Sequence, residues 1–205
     1  MIHKNVVTDF SDKALEPTID PTAYVHPLAA VIGNAVIGRR VMVSPAAAVR
    51  GDEGGPLVVD DEANVQDGVI IHALETQHQG HAIEKNLVEH NGKKCAVYVG
   101  KRVSLAHQAQ IHGPASVGDD TFIGMQSLVF KSRVGKGCVV EPGCTLLGVT
   151  VADGRYVPCG TVLTDQSAAD RLPVITDDYA FKNLNAGVVH VNTSLADGYN
   201  KAGIK

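Results

Sequence analysis

Aliphatic residues recur at every sixth position along this 205-residue chain. Ile19, Val25, Val31, Ile37, Val43 and Val49 form a first run, and Val59, Val65 and Ile71 a second. After a longer break come Val99, Leu105, Ile111, Val117, Ile123 and Val129, and one skipped residue leads to Val134, Val140 and Leu146. Four residues after most of these stands a small or β-branched side chain: Ala23, Ala29, Ala35, Val41, Ala47, Ala63, Val69, Val103, Ala109, Ala115, Thr121, Ser127. A period of six is too long for a helical turn and too regular for a series of hairpins. It matches the hexapeptide repeat of a parallel β-helix, in which each hexad supplies one short strand and one turn. Three hexads make a triangular coil: the aliphatic fills the interior of a flat face, the small residue turns the corner, and coils stack about 4.8 Å apart. The pattern predicts a mainly β single domain, with the β-helix over about 19–164 and loop insertions near 54–58 and 76–96.

The repeat stops near residue 165. Thr176-Asp177-Asp178-Tyr179 reads as a helix start, with Thr176 as cap and two acids at the positive end of the dipole. Phe181, Leu184, Val188, Val191, Leu195 and Tyr199 follow at helical spacing. They predict a C-terminal helix over about 176–200 whose apolar stripe packs along the outside of the β-helix.

Composition agrees with thin layers of small side chains: aromatics are 4 %, tryptophan is absent and glycine numbers 21. A net charge of −4 points to neither nucleic acid nor an anionic membrane as partner. Cys95, Cys138, Cys144 and Cys159 form no CxxC pair and read as buried small hydrophobes rather than disulfides or metal ligands. No apolar run approaches the roughly 18 residues of a membrane span. The stretch MIHKNVVTDF lacks the apolar core of a secretory signal, so the chain reads as cytoplasmic, with a longer exported precursor left open.

Counting hexads in threes assigns the faces. The residues directly after the face-three aliphatics, Ile32, Arg50, His72, His112 and Phe130, form one outward column, which stacks His72 and His112 one coil apart. At that spacing two imidazoles can converge on one Zn²⁺ at about 2.0–2.1 Å. His107 occupies the third position of a face-two hexad and turns around a corner from the other two. A neighbouring subunit can present it, and a triangular prism packs readily with three-fold symmetry, so the spacing predicts a three-histidine metal site between subunits of a homotrimer. Glu53 and Glu75 break the repeat at small corner positions of the Val49 and Ile71 hexads. A carboxylate there costs folding energy unless it is paired or functional. They either mark loop entries or form a carboxylate pair beside a metal-bound water.

Arg50-Gly51-Asp52-Glu53, Asn64-Val65-Gln66-Asp67-Gly68, His72-Ala73-Leu74-Glu75, Ser104-Leu105-Ala106-His107 and Ile111-His112-Gly113-Pro114 together resemble the gamma-class carbonic anhydrases. The likeness runs on through Gly118–Met125 and Gly154-Arg155-Tyr156 to Val191-Asn192, from about residue 20 onward, and is to the subgroup with an extended acidic loop. It implies a left-handed β-helix, a homotrimer and reversible hydration of CO2 to bicarbonate by a metal-bound hydroxide. His72 and His112 would come from one subunit and His107 from the next, with Zn²⁺ the default metal and Fe²⁺ or Co²⁺ alternatives. Three neutral imidazoles leave the cation's charge undiminished, which brings a bound water to a pKa of roughly 7. By the same resemblance Glu53 accepts the proton from that water and Glu75, on a mobile loop, passes it to buffer. Gln66 and Asn192 orient water and substrate. Arg50 and Asp52 form an intersubunit ion pair, and Arg50 contacts bicarbonate. This chain departs from the subgroup in carrying His78, His81 and His90 in the loop and His190 where relatives have an aromatic. The rival readings are a non-catalytic β-helical scaffold or bicarbonate-binding protein, and a hexapeptide acyltransferase, which leaves two of the three histidines unexplained.

Overall fold

The computed structural model describes residues 1–204. The hexads form three parallel sheets, one of eight strands and two of seven, in which each strand pairs with the equivalent strand one coil away. Face one runs from Thr18–Ile19 to Thr150–Val151, face two from Tyr24–Val25 to Tyr156–Val157, and face three from Ile2–His3 to Val162–Leu163. The interior holds the repeating aliphatics: Val31, Val49, Val59, Val65, Leu105, Ile111, Ile123 and Leu146 are fully buried, while Ile19 and Val25 at the first coil are only partly covered. Each such side chain contributes about 1.5–3 kcal/mol relative to exposure. Val151, Val157 and Leu163 extend the same column beyond the last aliphatic of the six-residue pattern. The corner residues Ala29, Ala47, Ala109 and Ala115 are buried as well.

The corners have a second requirement. Three residues after the aliphatic, Arg40, Ala46, Glu62, Arg102, Gln108, Asp120 and Gln126 lie in the left-handed region. L-residues tolerate it there because the coil above and below fixes the turn.

Both insertions fall where the pattern breaks, and the second is more ordered than a loop. Gln77–His78 pairs with His81–Ala82, and Val88–His90 pairs with Lys93–Cys95, as two antiparallel hairpins. His90 stacks on Tyr98 of face one at 3.5 Å between centroids.

The C-terminal region corrects the sequence expectation. A five-residue helix, α1 (Gln166–Asp170), closes the last coil, and the long helix α2 spans Leu184–Ala202. Thr176 is not its cap: residues 177–183 are non-helical, Asp177 pairs with Lys182 at 3.2 Å, and no acid lies in the first turn of α2. The stripe is also rotated. α2 buries Asn185, Val189, Asn192, Thr193 and Ala196, whereas Phe181, Leu184, Val191 and Leu195 are exposed. Polar straps fix this orientation. Asn185 Nδ2 donates to the Arg102 carbonyl at 2.8 Å, Arg40 pairs with Asp197 at 2.8 Å, and Tyr199 stacks on Tyr24 at 4.7 Å. Hydrophobic spacing finds a helix but cannot say which face meets the sheet when the contacting face is built from Asn, Thr and Ala.

Cys95, Cys138 and Cys144 are buried, and burial pushes the Cys95 thiol up to about 11. Cys159 departs from the expectation of burial and is exposed. No described helix is long and apolar enough to cross a membrane.

Candidate metal centre

The register on face three is the one the hexad count requires. Ile71 pairs with Ile111 and His72 with His112, while His112 pairs with Phe130 on its other side. The two imidazoles stand 5.3 Å apart at 79°, and the Phe130 ring meets His112 edge-on at 5.2 Å. His112 is therefore held between two rings. Its Nδ1 lies 3.3 Å from the Gly113 carbonyl and donates to it, which leaves Nε2 as the free lone pair. Burial holds this imidazole below its usual pKa, and the neighbouring His72 works in the same direction.

Two carboxylates converge on His72. Its Nε2 lies 3.1 Å from Asp52 Oδ1 and 3.5 Å from Glu53 Oε1. The other oxygen of Asp52 accepts from Arg50 at 3.1 Å. Within one chain Arg50 and Asp52 pair with each other. Glu53 is partly buried, at 32 % exposed, while Glu75 is exposed and does not bear the burial cost that its corner position suggests. Glu75 is anchored through its backbone: its carbonyl accepts from Asn86 Nδ2 at 2.7 Å, and Asn86 is buried. This bond anchors the start of the insertion, with the Glu75 side chain exposed beyond it.

His107 belongs to a different surface. It follows Leu105 on face two, whose register partner is Val65, so His107 stacks over Asp67. Its Nδ1 donates to Asp67 Oδ2 at 3.0 Å. Both side chains are about half exposed, at 52 % and 54 %. A groove of about 840 Å³ between face two and α2 is lined by His107, Asp67, Gln66 and Asn192 at its polar end. Phe122, Val139, Val188, Val191 and Leu195 form its apolar walls. Gln66 is buried and donates to Asn64 Oδ1 at 2.9 Å, and Asn64 in turn donates to Ser104 Oγ at 2.9 Å. Asn192 is held by a bond from Nδ2 to the Val188 carbonyl.

The candidate residues fall on two separate surfaces of the chain. Arg50, Asp52, Glu53, His72 and His112 share face three; Gln66, His107 and Asn192 share the groove on face two. Within a single chain, no described group of three His, Cys, Asp or Glu is placed to hold a metal. The donor chemistry nonetheless suits a divalent cation: imidazoles bordered by the carboxylates of Asp52, Glu53 and Asp67. His190 lines a separate cavity with Arg102, Lys182 and Asn185, away from this groove. His78 lies 3.8 Å from Asp9 on the second insertion, again apart from the site. Sequence reasoning missed Asp67 as the partner of His107, although the hexad count contains it, since both stand two residues after paired aliphatics. It also missed the contact of Asp52 with His72, which crosses a break in the repeat.

A parallel β-helix of hexads with histidines and carboxylates on two of its faces belongs to the class of hexapeptide-repeat proteins. No family model matches the chain. It is 58 % identical over 199 residues to the carbonic anhydrase of Methanosarcina thermophila, covering 97 % of this chain and 81 % of that one. It is 42 % identical over 193 residues to the carboxysome assembly protein CcmM of a Nostoc species, covering 94 % of this chain but only 33 % of that protein. Among solved structures, a hexapeptide transferase family protein from Anaplasma phagocytophilum superposes with a TM-score of 0.67 at 21 % identity, over 90 % of this chain and 93 % of the other, a likeness of fold alone. The chain belongs to the carbonic anhydrase family, in its gamma class. Membership implies a metal cofactor.

Proposed function

We infer that the chain catalyses the reversible hydration of CO2 to bicarbonate as a homotrimer, with His72 and His112 of one subunit and His107 of the next holding a shared Zn²⁺, or Fe²⁺ or Co²⁺ in its place. The observation that carries this reading is the division of donors: His72 and His112 paired in register on face three, and His107 aimed from face two with one ring nitrogen already committed to Asp67. A cation held by the three imidazoles supplies Lewis acidity that makes water acidic enough to lose a proton near neutral pH.

The chain's own residues provide the rest. Glu53 Oε1 lies beside His72 and receives the proton released from water, acting as general base. Glu75, with an exposed side chain on an anchored backbone, carries the proton on to buffer. Gln66, fixed by Asn64, presents its remaining amide oxygen to the groove, where it and Asn192 orient water and substrate. The Arg50 guanidinium, aligned by Asp52, offers its remaining N–H groups to the anionic product. The apolar walls of the groove favour CO2 over charged solutes.

A second reading rests on the match to a carboxysome assembly protein: a β-helical scaffold without catalysis. Stopped-flow measurement of CO2 hydration separates the two, using protein loaded with zinc and, anaerobically, with ferrous iron. Hydration rising in proportion to bound metal, up to one ion per chain, supports the enzyme. Full metal occupancy with a rate no higher than that of buffer contradicts it in favour of the scaffold.

A further inference from the structure

The three histidines are not held alike. His72 and His112 are packed against each other, and His112 also against Phe130, so ring contacts limit both. Among the described residues His107 stacks on no aromatic ring, and its side chain is 52 % exposed. Its one side-chain hydrogen bond runs from Nδ1 to Asp67 Oδ2 at 3.0 Å. Without that bond the ring is free to turn and to exchange its proton between the two nitrogens, at a cost in order that metal binding would then have to meet.

Asp67 is itself well fixed. Its carbonyl accepts from Gln108 N at 2.9 Å, and the next residue, Gly68, takes φ +68° to turn the corner. A Cβ on Gly68 would come within 3.3 Å of Gln108 Cγ, so glycine lets this turn close tightly beneath the His107 turn. One coil further on, Gln126 N donates to the His107 carbonyl at 3.1 Å, and Gln126 Nε2 donates to Gln108 Oε1 at 2.9 Å. Backbone and side-chain rungs therefore set the height of Asp67 relative to His107, and the carboxylate reaches Nδ1 without strain.

We propose that Asp67 is a positioning residue for metal binding. It fixes His107 as the Nδ1–H tautomer, so that the Nε2 lone pair points outward, past the corner, at the cation on the neighbouring subunit. This rests on the shared-site reading above. Because Asp67 and His107 lie on one chain while the other two donors lie on its neighbour, the pair acts as a preformed arm, ordered before subunits meet. Carboxylate partners of ligating histidines commonly control affinity by about 10–100-fold.

The test uses full-length protein, ¹⁵N-labelled at histidine, at mildly alkaline pH where imidazoles are neutral. Long-range ¹H–¹⁵N correlation spectra are expected to show His107 as Nδ1–H in the wild type, and to lose that state in Asp67→Leu. Competition with a zinc chelator is expected to give about 10–100-fold weaker zinc binding in Asp67→Leu. Asp67→Asn, which keeps an acceptor oxygen, should fall between the two and guards against misfolding of the leucine variant. An unchanged His107 tautomer in both variants, or zinc affinity within twofold of the wild type in both, overturns the proposal. Should the wild type bind no zinc, the shared-site reading fails, while the tautomer spectra still decide the role of Asp67.

Discussion

Replacing His112 with alanine is expected to remove bound metal and to lower CO2 hydration at least about a thousandfold, because the rate returns toward that of water once no Lewis acid is held. His112 is the most constrained of the three donors, set between His72 at 5.3 Å and Phe130 at 5.2 Å with Nδ1 tied to the Gly113 carbonyl. The fold should hardly notice. The ring lies outside the aliphatic interior, where Ile111 is fully buried and keeps the coil packed. Stability is expected to change by about 1 kcal/mol or less. Metal analysis, hydration rate and chemical denaturation on the same preparation check all three statements. Retained metal with near-normal rate would remove His112 from the site.

Changing its neighbour should do the opposite, breaking the fold first. A Cβ on Gly113 would collide with the Ala96 carbonyl oxygen and lie 2.9 Å from Ala73 Cβ and 3.0 Å from Val97 Cγ2. Ala73, Ala96 and Val97 are buried parts of the solenoid, so none can step aside. Gly113→Ala is expected to cost about 2–4 kcal/mol, lowering the melting temperature by roughly 5–15 °C. It should also weaken metal binding, because the coil carrying His112 must shift. Gly198→Ala on α2 is the control: a Cβ there meets nothing within 4 Å, and removing a helical glycine should stabilise by up to about 1 kcal/mol. Thermal unfolding of the two variants measures the contrast, and equal melting temperatures would contradict it.

The solenoid was legible because a six-residue period leaves one aliphatic per strand, and burial of Val31, Leu105 and Leu146 follows directly from that spacing. The same count put His72 opposite His112, since parallel strands in register transmit sequence position into space without ambiguity. Where the repeat lapses, so does the inference. Nothing periodic marks the hairpins within 76–96, whose register depends on two-residue turns at Gln79-Gly80 and Asn91-Gly92, all with positive φ. Helix α2 was found by its apolar spacing but turned the wrong way, because hydrogen bonds from Asn185 and Asn200 to the backbone, rather than hydrophobic burial, set its orientation.

The central claim is that a complete site needs two copies of the chain. It is tested most directly by preparing His72→Ala and His107→Ala proteins separately, then dissociating and reassembling them together. Each alone is expected to be inactive. In randomly mixed trimers about a quarter of the sites join an intact His72–His112 face to an intact His107, so hydration and bound metal should recover to about a quarter of wild type. Confirmed mixing with no recovery of either would contradict a site shared between subunits.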